Sequence, residues 1–191
     1  MVIVVLRHAS REQVPSELEE FDERSAPLSK SGIRQARKLG KQLRKWGIKP
    51  DVYYASCFTH ATQTAKVLRT ELASASARII QLCSLTPHYQ GPRAFRDTKR
   101  VWTGLDILIS IDKESKCKGQ DMRKKKTIAM ILHKPRLEQL LAGMTSQDEG
   151  TFRDLDYASG VCLKAESFDS LLQGRVLESA TLSSQTKKEP G

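Results

Sequence analysis

An arginine and a histidine, Arg7 and His8, follow the apolar run Met1 to Leu6 (M-V-I-V-V-L) with no spacer. An imidazole backed by a guanidinium can bind a phosphoryl group, or attack one if the ring is neutral and its lone pair lies in line with phosphorus. Two further histidines occupy comparable settings. His60 lies in A-S-C-F-T-H-A-T-Q-T (Ala55 to Thr64), where a short apolar run gives way to helical spacing, and His133 lies in L-H-K-P-R-L directly after T-I-A-M-I. At such strand-to-helix turns, backbone N–H groups and the helix dipole favour an anion. The chemistry on offer is phosphate binding, extended to phosphoryl transfer if His8 acts as a nucleophile. The plain alternative for His8 is a polar residue satisfied at the end of a strand.

Positioning these groups requires strands that stop at them. Val2 to Leu6 shows no polar alternation, which fits a strand covered on both faces, and its exit would open on the carboxyl edge where parallel sheets place their sites. Asp51 to Ala55, Arg78 to Leu82, Thr127 to Leu132 and Tyr157 to Lys164 read as further strands. Pro27-Leu28-Ser29 reads as a helix start with Ser29 as N-cap; Ile33, Ala36, Leu39, Gly40, Leu43 and Trp46 then repeat at helical spacing up to a stop at Gly47. Helices are also expected over Ala61 to Ala73, Val101 to Ile111 and Pro135 to about Met144. Alternating strands and helices imply an α/β three-layer sandwich with a mostly parallel central sheet flanked by helices. Ala9 to Ala26 is expected to be a polar, acidic loop over the exit of the first strand. Asp112 to Lys126 is expected to be an exposed basic loop. Domain organisation is expected as one domain over residues 1–165 and a Ser-rich polar tail over 166–191, holding a marginal helix near Phe168 to Leu177.

The 191 residues suit one domain with a real core but not an additional large cap. No stretch approaches the roughly 18 consecutive apolar residues of a membrane span, and no signal peptide is recognisable, so a cytoplasmic protein without membrane contact is expected. Cys57, Cys83, Cys117 and Cys162 are scattered without metal-binding spacing, and free thiols are expected. The formal net charge is +10, and it is concentrated: Lys30 to Lys49 carries eight basic residues and no acid. Such a field attracts anionic partners, or is simply a solvated helix face. Aromatic residues are sparse and no nucleic-acid fold signature is present, so nucleic acid is not an expected partner.

In this order the three turns resemble the histidine phosphatase superfamily, whose members carry R-H-G after the first strand, S-x-x-x-R-x-x-Q-T at the second and H-x-P late in the chain. Pro27-Leu28-Ser29-Lys30-Ser31-Gly32 is similar to the family's P-L-T-x-x-G helix start. The resemblance runs over roughly Val2 to Lys164 and is greatest to the small, capless phosphohistidine phosphatases of the SixA type. It implies a phosphoglycerate mutase-like fold, His8 as the nucleophile, Arg7 as the clamp on the phosphoryl oxygens, and His133 sharing that task. It implies no cofactor and no metal.

Two positions depart from the family pattern. Ala9 replaces glycine, a mild change if the backbone there does not need positive φ. His60 replaces the second arginine, exchanging a permanently charged fork for a ring with one or two donors. His60 is either a phosphate donor in its own right or a degenerate position. Arg24, Arg34 or Arg136 could replace the missing guanidinium, with Arg24 first because its loop should overhang the site. Glu12, Glu17 and Asp22 are the carboxylates available to protonate a leaving group. His88 is expected to be a turn residue. The expected activity is a phosphatase using a phosphohistidine on His8, acting on a phosphorylated protein (phosphohistidine first) or a small phosphorylated substrate. The alternative is a catalytically weakened phosphate- or phosphoprotein-binding module of the same fold.

Overall fold

The computed structural model describes residues 1–13, 23–86 and 103–184. His88, Glu17 and Asp22 lie outside them. The described chain forms one six-stranded sheet in the order β3-β2-β4-β1-β5-β6, with β1 Val2–Arg7, β2 Val52–Ala55, β3 Arg78–Gln81, β4 Thr127–Leu132, β5 Ser159–Lys164 and β6 Glu178–Ser183. The first four in that order run parallel, β5 adds antiparallel to β1, and β6 adds antiparallel to β5 at the edge.

The unbroken apolar run in β1 has a direct structural cause. Ile3 and Val5 pack on one face with Tyr54, Met130 and the inner sides of α3 (Gly104–Cys117), α4 (Lys134–Thr145) and the short α5 (Phe168–Leu172). Val4 and Leu6 pack on the other face with Tyr53, Ile131 and helices α1 (Lys30–Lys45) and α2 (Thr59–Glu71). A strand buried on both sides has no position for a polar residue until it leaves the sheet, which it does at Arg7.

Helix α1 begins as expected: Ser29 accepts a hydrogen bond from the Gly32 N–H at 3.0 Å. Its buried stripe is Gly32, Ala36, Leu39, Gly40 and Leu43, while Trp46 caps the end 44% exposed. Gly47 follows at φ 69°, a left-handed stop. Gly32 is required by close approach, because a Cβ there would lie 1.9 Å from the Ser10 carbonyl oxygen. The helix is thereby seated on the segment that follows β1, and the Ser29 N–H donates to that same carbonyl at 3.0 Å.

Two expectations need correction. Residues 166–184 are not a tail: after α5, β6 pairs antiparallel with β5 from Lys164↔Glu178 to Ser159↔Ser183. The expected boundary after residue 165 therefore separates two hydrogen-bonded strands. The basic segment after Asp112 is not a loop at first, because α3 continues to Cys117 with Asp112 and Ser115 on its buried side. Its charges are largely paired locally: Arg123 bridges Asp112 at 2.8 Å and Asp169 at 3.0 Å, Lys116 meets Asp112 at 3.0 Å, and Lys118 meets Glu114 at 3.4 Å. Finally, the helix expected from Val101 has Gly104 as its first described residue, where Thr103 and Asp106 form a reciprocal capping box, while Val101 itself lies outside the described residues. No helix among the described residues is long and apolar enough to cross a membrane.

Candidate active site

Sheet order assembles the site. β1 lies beside β4, and β4 beside β2, so the three exits that carry histidines are neighbours. The β1–β4 register runs to Arg7↔Leu132, which makes His8 and His133 the next rung, and the His8 N–H still donates to the Leu132 carbonyl at 3.0 Å. β2 ends at Ala55, Ser56 continues onto the Ile131 carbonyl at 2.9 Å, and α2 starts three residues later at Thr59 with His60 in its first turn. His133 is the N-cap of α4.

The three rings meet. Centroid separations are 4.2 Å for His8–His60, 4.8 Å for His8–His133 and 5.3 Å for His60–His133. All three are buried, at 5%, 1% and 7% exposure for His8, His60 and His133. Each ring is anchored through a nitrogen. His8 Nδ1 donates to the Ala9 carbonyl at 2.9 Å, and His60 Nδ1 donates to the Ala26 carbonyl at 3.1 Å. His133 Nε2 and the Ser56 hydroxyl are 2.8 Å apart. A carbonyl can only accept, so a neutral His8 carries its proton on Nδ1 and its lone pair on Nε2. Burial, chiefly, and then the neighbouring His60 and His133 hold the His8 pKa well below the ordinary imidazole value; Arg7 adds to this, against the opposing bond to Ala9. His8 is a neutral base at neutral pH.

Arg7 lies with its guanidinium carbon 3.8 Å from the centre of the Tyr157 ring and donates from Nη1 to the Leu155 carbonyl at 3.2 Å. Its Nε is buried with no partner among the described residues. Tyr157 is also 5.5 Å from the His8 ring. Sequence reasoning gave it only as the start of a strand, and an isolated tyrosine in a turn has no spacing signal to mark it. Phe58 supplies an apolar wall 4.6 Å from His133 and 5.7 Å from His60, ring to ring.

The remaining residues of the second turn are fasteners. Thr64, fully buried, accepts from the Ala9 N–H at 3.1 Å and donates to the His60 carbonyl at 2.7 Å. Gln63 accepts from the Leu28 N–H at 2.7 Å, and Gln35 from the Ser10 N–H at 3.0 Å. Ala9 is absent from the described residues with positive φ, so alanine is tolerated there without strain.

The proposed substitutes for a second arginine separate clearly. Arg136 is buried but already engaged, with Nε on the Thr86 carbonyl and Nη1 on Gln139, both at 3.3 Å. Arg34 points outward from α1. Arg24 is exposed on the 3₁₀ turn Glu23–Ser25, which packs against α2 two residues before the Ala26 carbonyl that holds His60. A polar groove of about 700 Å³, joined to the histidine cluster through Tyr157, is lined by Ser10, Arg11, Glu12, Ser29, Ser31 and Tyr157, among others. Glu12 is thus the one expected leaving-group carboxylate that lies among the described residues, and it sits on this groove.

Residues 3–82 match the model of the histidine phosphatase superfamily (branch 1). No curated protein matches the chain in sequence. Among solved structures the chain is similar to the protein histidine phosphatase SixA complexed with tungstate, at 14% identity over 96% of this chain and 97% of that one, TM-score 0.68. It is similar to SixA from Agrobacterium tumefaciens at 12% identity, covering 94% and 96%, TM-score 0.65. It is also similar to the phosphoserine phosphatase from Entamoeba histolytica in complex with 3-phosphoglyceric acid, at 13% identity, covering 95% and 96%, TM-score 0.60. At these identities the structural likenesses show the fold, a phosphoglycerate mutase-like α/β sandwich with no large cap.

Proposed function

From the resemblance of this chain to the histidine phosphatase superfamily, we propose that it is a phosphatase that carries the phosphoryl group on His8, with a phosphorylated protein, phosphohistidine first, or a small phosphate ester as substrate. The observation that carries the reading is His8 itself: buried, neutral, locked by Nδ1 on the Ala9 carbonyl, with its lone pair therefore on Nε2. A ring held in that tautomer pays no proton-transfer step before attack.

His8 Nε2 attacks phosphorus in line as the bond to the leaving oxygen or nitrogen breaks. The leaving group takes a proton, for which Glu12 on the adjoining groove is the proposed donor. Water then attacks the phosphohistidine, the P–N bond breaks, inorganic phosphate departs and His8 returns to its neutral form. Phosphoryl transfer depends mainly on positioning and charge stabilisation. Arg7 would turn from Tyr157 to the equatorial oxygens, giving its buried Nε an acceptor. His60, whose Nδ1–H is already given to the Ala26 carbonyl, would donate to the same oxygens from Nε2 only as the imidazolium that a bound dianion favours, and His133 would donate from the nitrogen not paired with Ser56. Arg24, close to the start of α2, would add the charge that His60 lacks.

The test is acid-labile labelling with a phosphoramidate donor, with inorganic phosphate release followed alongside, in wild type, His8→Ala and His60→Arg. Labelling and turnover in wild type that vanish in His8→Ala are expected. Faster turnover in His60→Arg would identify His60 as a handicap. Phosphate binding by wild type with no labelling and no turnover would replace the enzyme with a phosphate-binding module.

A further inference from the structure

Three buried imidazoles in mutual contact are more than an oxyanion cage requires. One ring nitrogen from each of His8, His60 and His133 can be chosen so that all three lie within 4.8 Å of one another. We propose that these three histidines form a binding site for a divalent transition metal ion of the zinc class, and that the ion, when bound, silences His8.

Geometry and chemistry both point there. A tetrahedral ion with metal–nitrogen bonds of about 2.0–2.1 Å places its nitrogen ligands about 3.3 Å apart. The rings meet at interplanar angles of 54°, 57° and 88°, and their nitrogens, within 4.8 Å of one another, have at most about 1.5 Å to close to reach that spacing. The second observation is the hydrogen bonding on the far side of each ring. Metal-bound histidines almost always donate their other N–H to a carbonyl or a comparable acceptor, which fixes the tautomer and aims the lone pair. His8 does so to Ala9 and His60 does so to Ala26, while His133 Nε2 lies 2.8 Å from the Ser56 hydroxyl, which can accept its N–H. Three imidazoles with an open fourth position suit zinc, cobalt and copper and disfavour magnesium or calcium, which take oxygen. Sequence spacing could not expose this set, because residues 8, 60 and 133 make no local ligand motif.

Binding of the ion and phosphorylation of His8 use the same lone pair on Nε2, so the two states exclude each other. That consequence rests on the phosphatase reading; the metal site does not.

The test uses full-length protein stripped of metal with a chelator and titrated with Co²⁺, then with Zn²⁺ in competition. Expected are one ion per chain, the visible d–d bands of tetrahedral cobalt, and no sulfur-to-metal charge transfer. His8→Ala, His60→Ala and His133→Ala should each weaken binding by more than about 100-fold, since even loss of an outer-shell partner costs about 10–100-fold. Ser56→Ala, which removes only the partner of His133, should weaken it within that outer-shell range. Cys57→Ser/Cys83→Ser should bind as wild type does. Retained circular dichroism separates loss of ligand from loss of fold. Wild-type affinity no greater than that of a folded His60→Ala variant, or binding that disappears with the cysteines, overturns the site. If cobalt binds to the histidines and labelling of His8 proceeds at an unchanged rate with the ion in place, the site stands and the silencing is refuted.

Discussion

Replacing Thr64 by valine should damage the protein more than replacing it by serine, although valine is the closer match in shape. The Thr64 hydroxyl is fully buried and makes two bonds, accepting from the Ala9 N–H at 3.1 Å and donating to the His60 carbonyl at 2.7 Å. The carbonyl loses little, because the first turn of a helix supplies it with the N–H four residues on. The Ala9 N–H has no such recourse: it sits at 0% exposure and would be left unpaired, at a cost of about 1–3 kcal/mol. Thr64→Ser keeps both bonds and removes one methyl, costing about 0.8 kcal/mol by transfer. With an m-value of about 2 kcal/mol/M, urea midpoints should fall by about 0.5–1.5 M for valine and by less than about 0.5 M for serine. Because Ala9 also holds His8 Nδ1, the rate of His8 labelling should follow the same order. A Thr64→Val midpoint equal to that of wild type, or a serine variant as unstable as the valine one, would refute the reasoning.

The pH dependence of stability should show the buried His8. Its folded pKa lies well below the unfolded value of about 6.5, so its full contribution is present above pH 6.5. As pH falls below that value the unfolded chain binds a proton that the folded chain refuses, and stability should decline by about 1.4 kcal/mol per unit until the folded pKa is reached. A His8→Asn variant measured by the same melts should show a shallower decline; an equal slope would exclude His8 as the cause. Gly32→Ala forces a methyl to 1.9 Å from the Ser10 carbonyl oxygen and should cost about 1–3 kcal/mol or more, read by thermal melting, with an unchanged midpoint contradicting the seating of α1. Cys57 and Cys83 expose thiols whose sulfurs are 3.3 Å apart. Diamide should couple them, taking up the two electrons and two protons released as the disulfide forms, and titratable thiols should drop from four to two; four remaining thiols would show that the pair cannot close.

Sequence patterns carried β1 and β4 almost to the residue, because a strand buried on both faces must be an apolar run with sharp ends. The three histidines were legible for the same reason, each standing at the end of such a run. β6 was not: only Leu182 of Glu178–Ser183 is buried, so this edge strand has the composition of a loop and owes its form to pairing with β5. The continuation of α3 to Cys117 was hidden by a basic surface over a buried Asp112 and Ser115. Arg136 reads as a mobile surface cation and is in fact buried against Thr86 and Gln139. The groups that fix His8 and His60 are backbone carbonyls, of Ala9 and Ala26, and no side-chain pattern announces a carbonyl.

The position of β1 between β4 and β5 also sets a schedule for synthesis. Both hydrogen-bonding neighbours of β1 begin at or after Thr127. At about 5–20 residues per second a ribosome would add the intervening stretch in about 6–25 s, during which the apolar run Val2 to Leu6 lacks both of the strands it pairs with. Pairings of such long sequence separation are the slow steps of folding, since the loop must close before the contact forms. A nascent chain stalled before residue 127 would therefore expose Ile3 to Leu6 to chaperones or to aggregation, with the three-histidine cluster still incomplete because His133 would not yet exist.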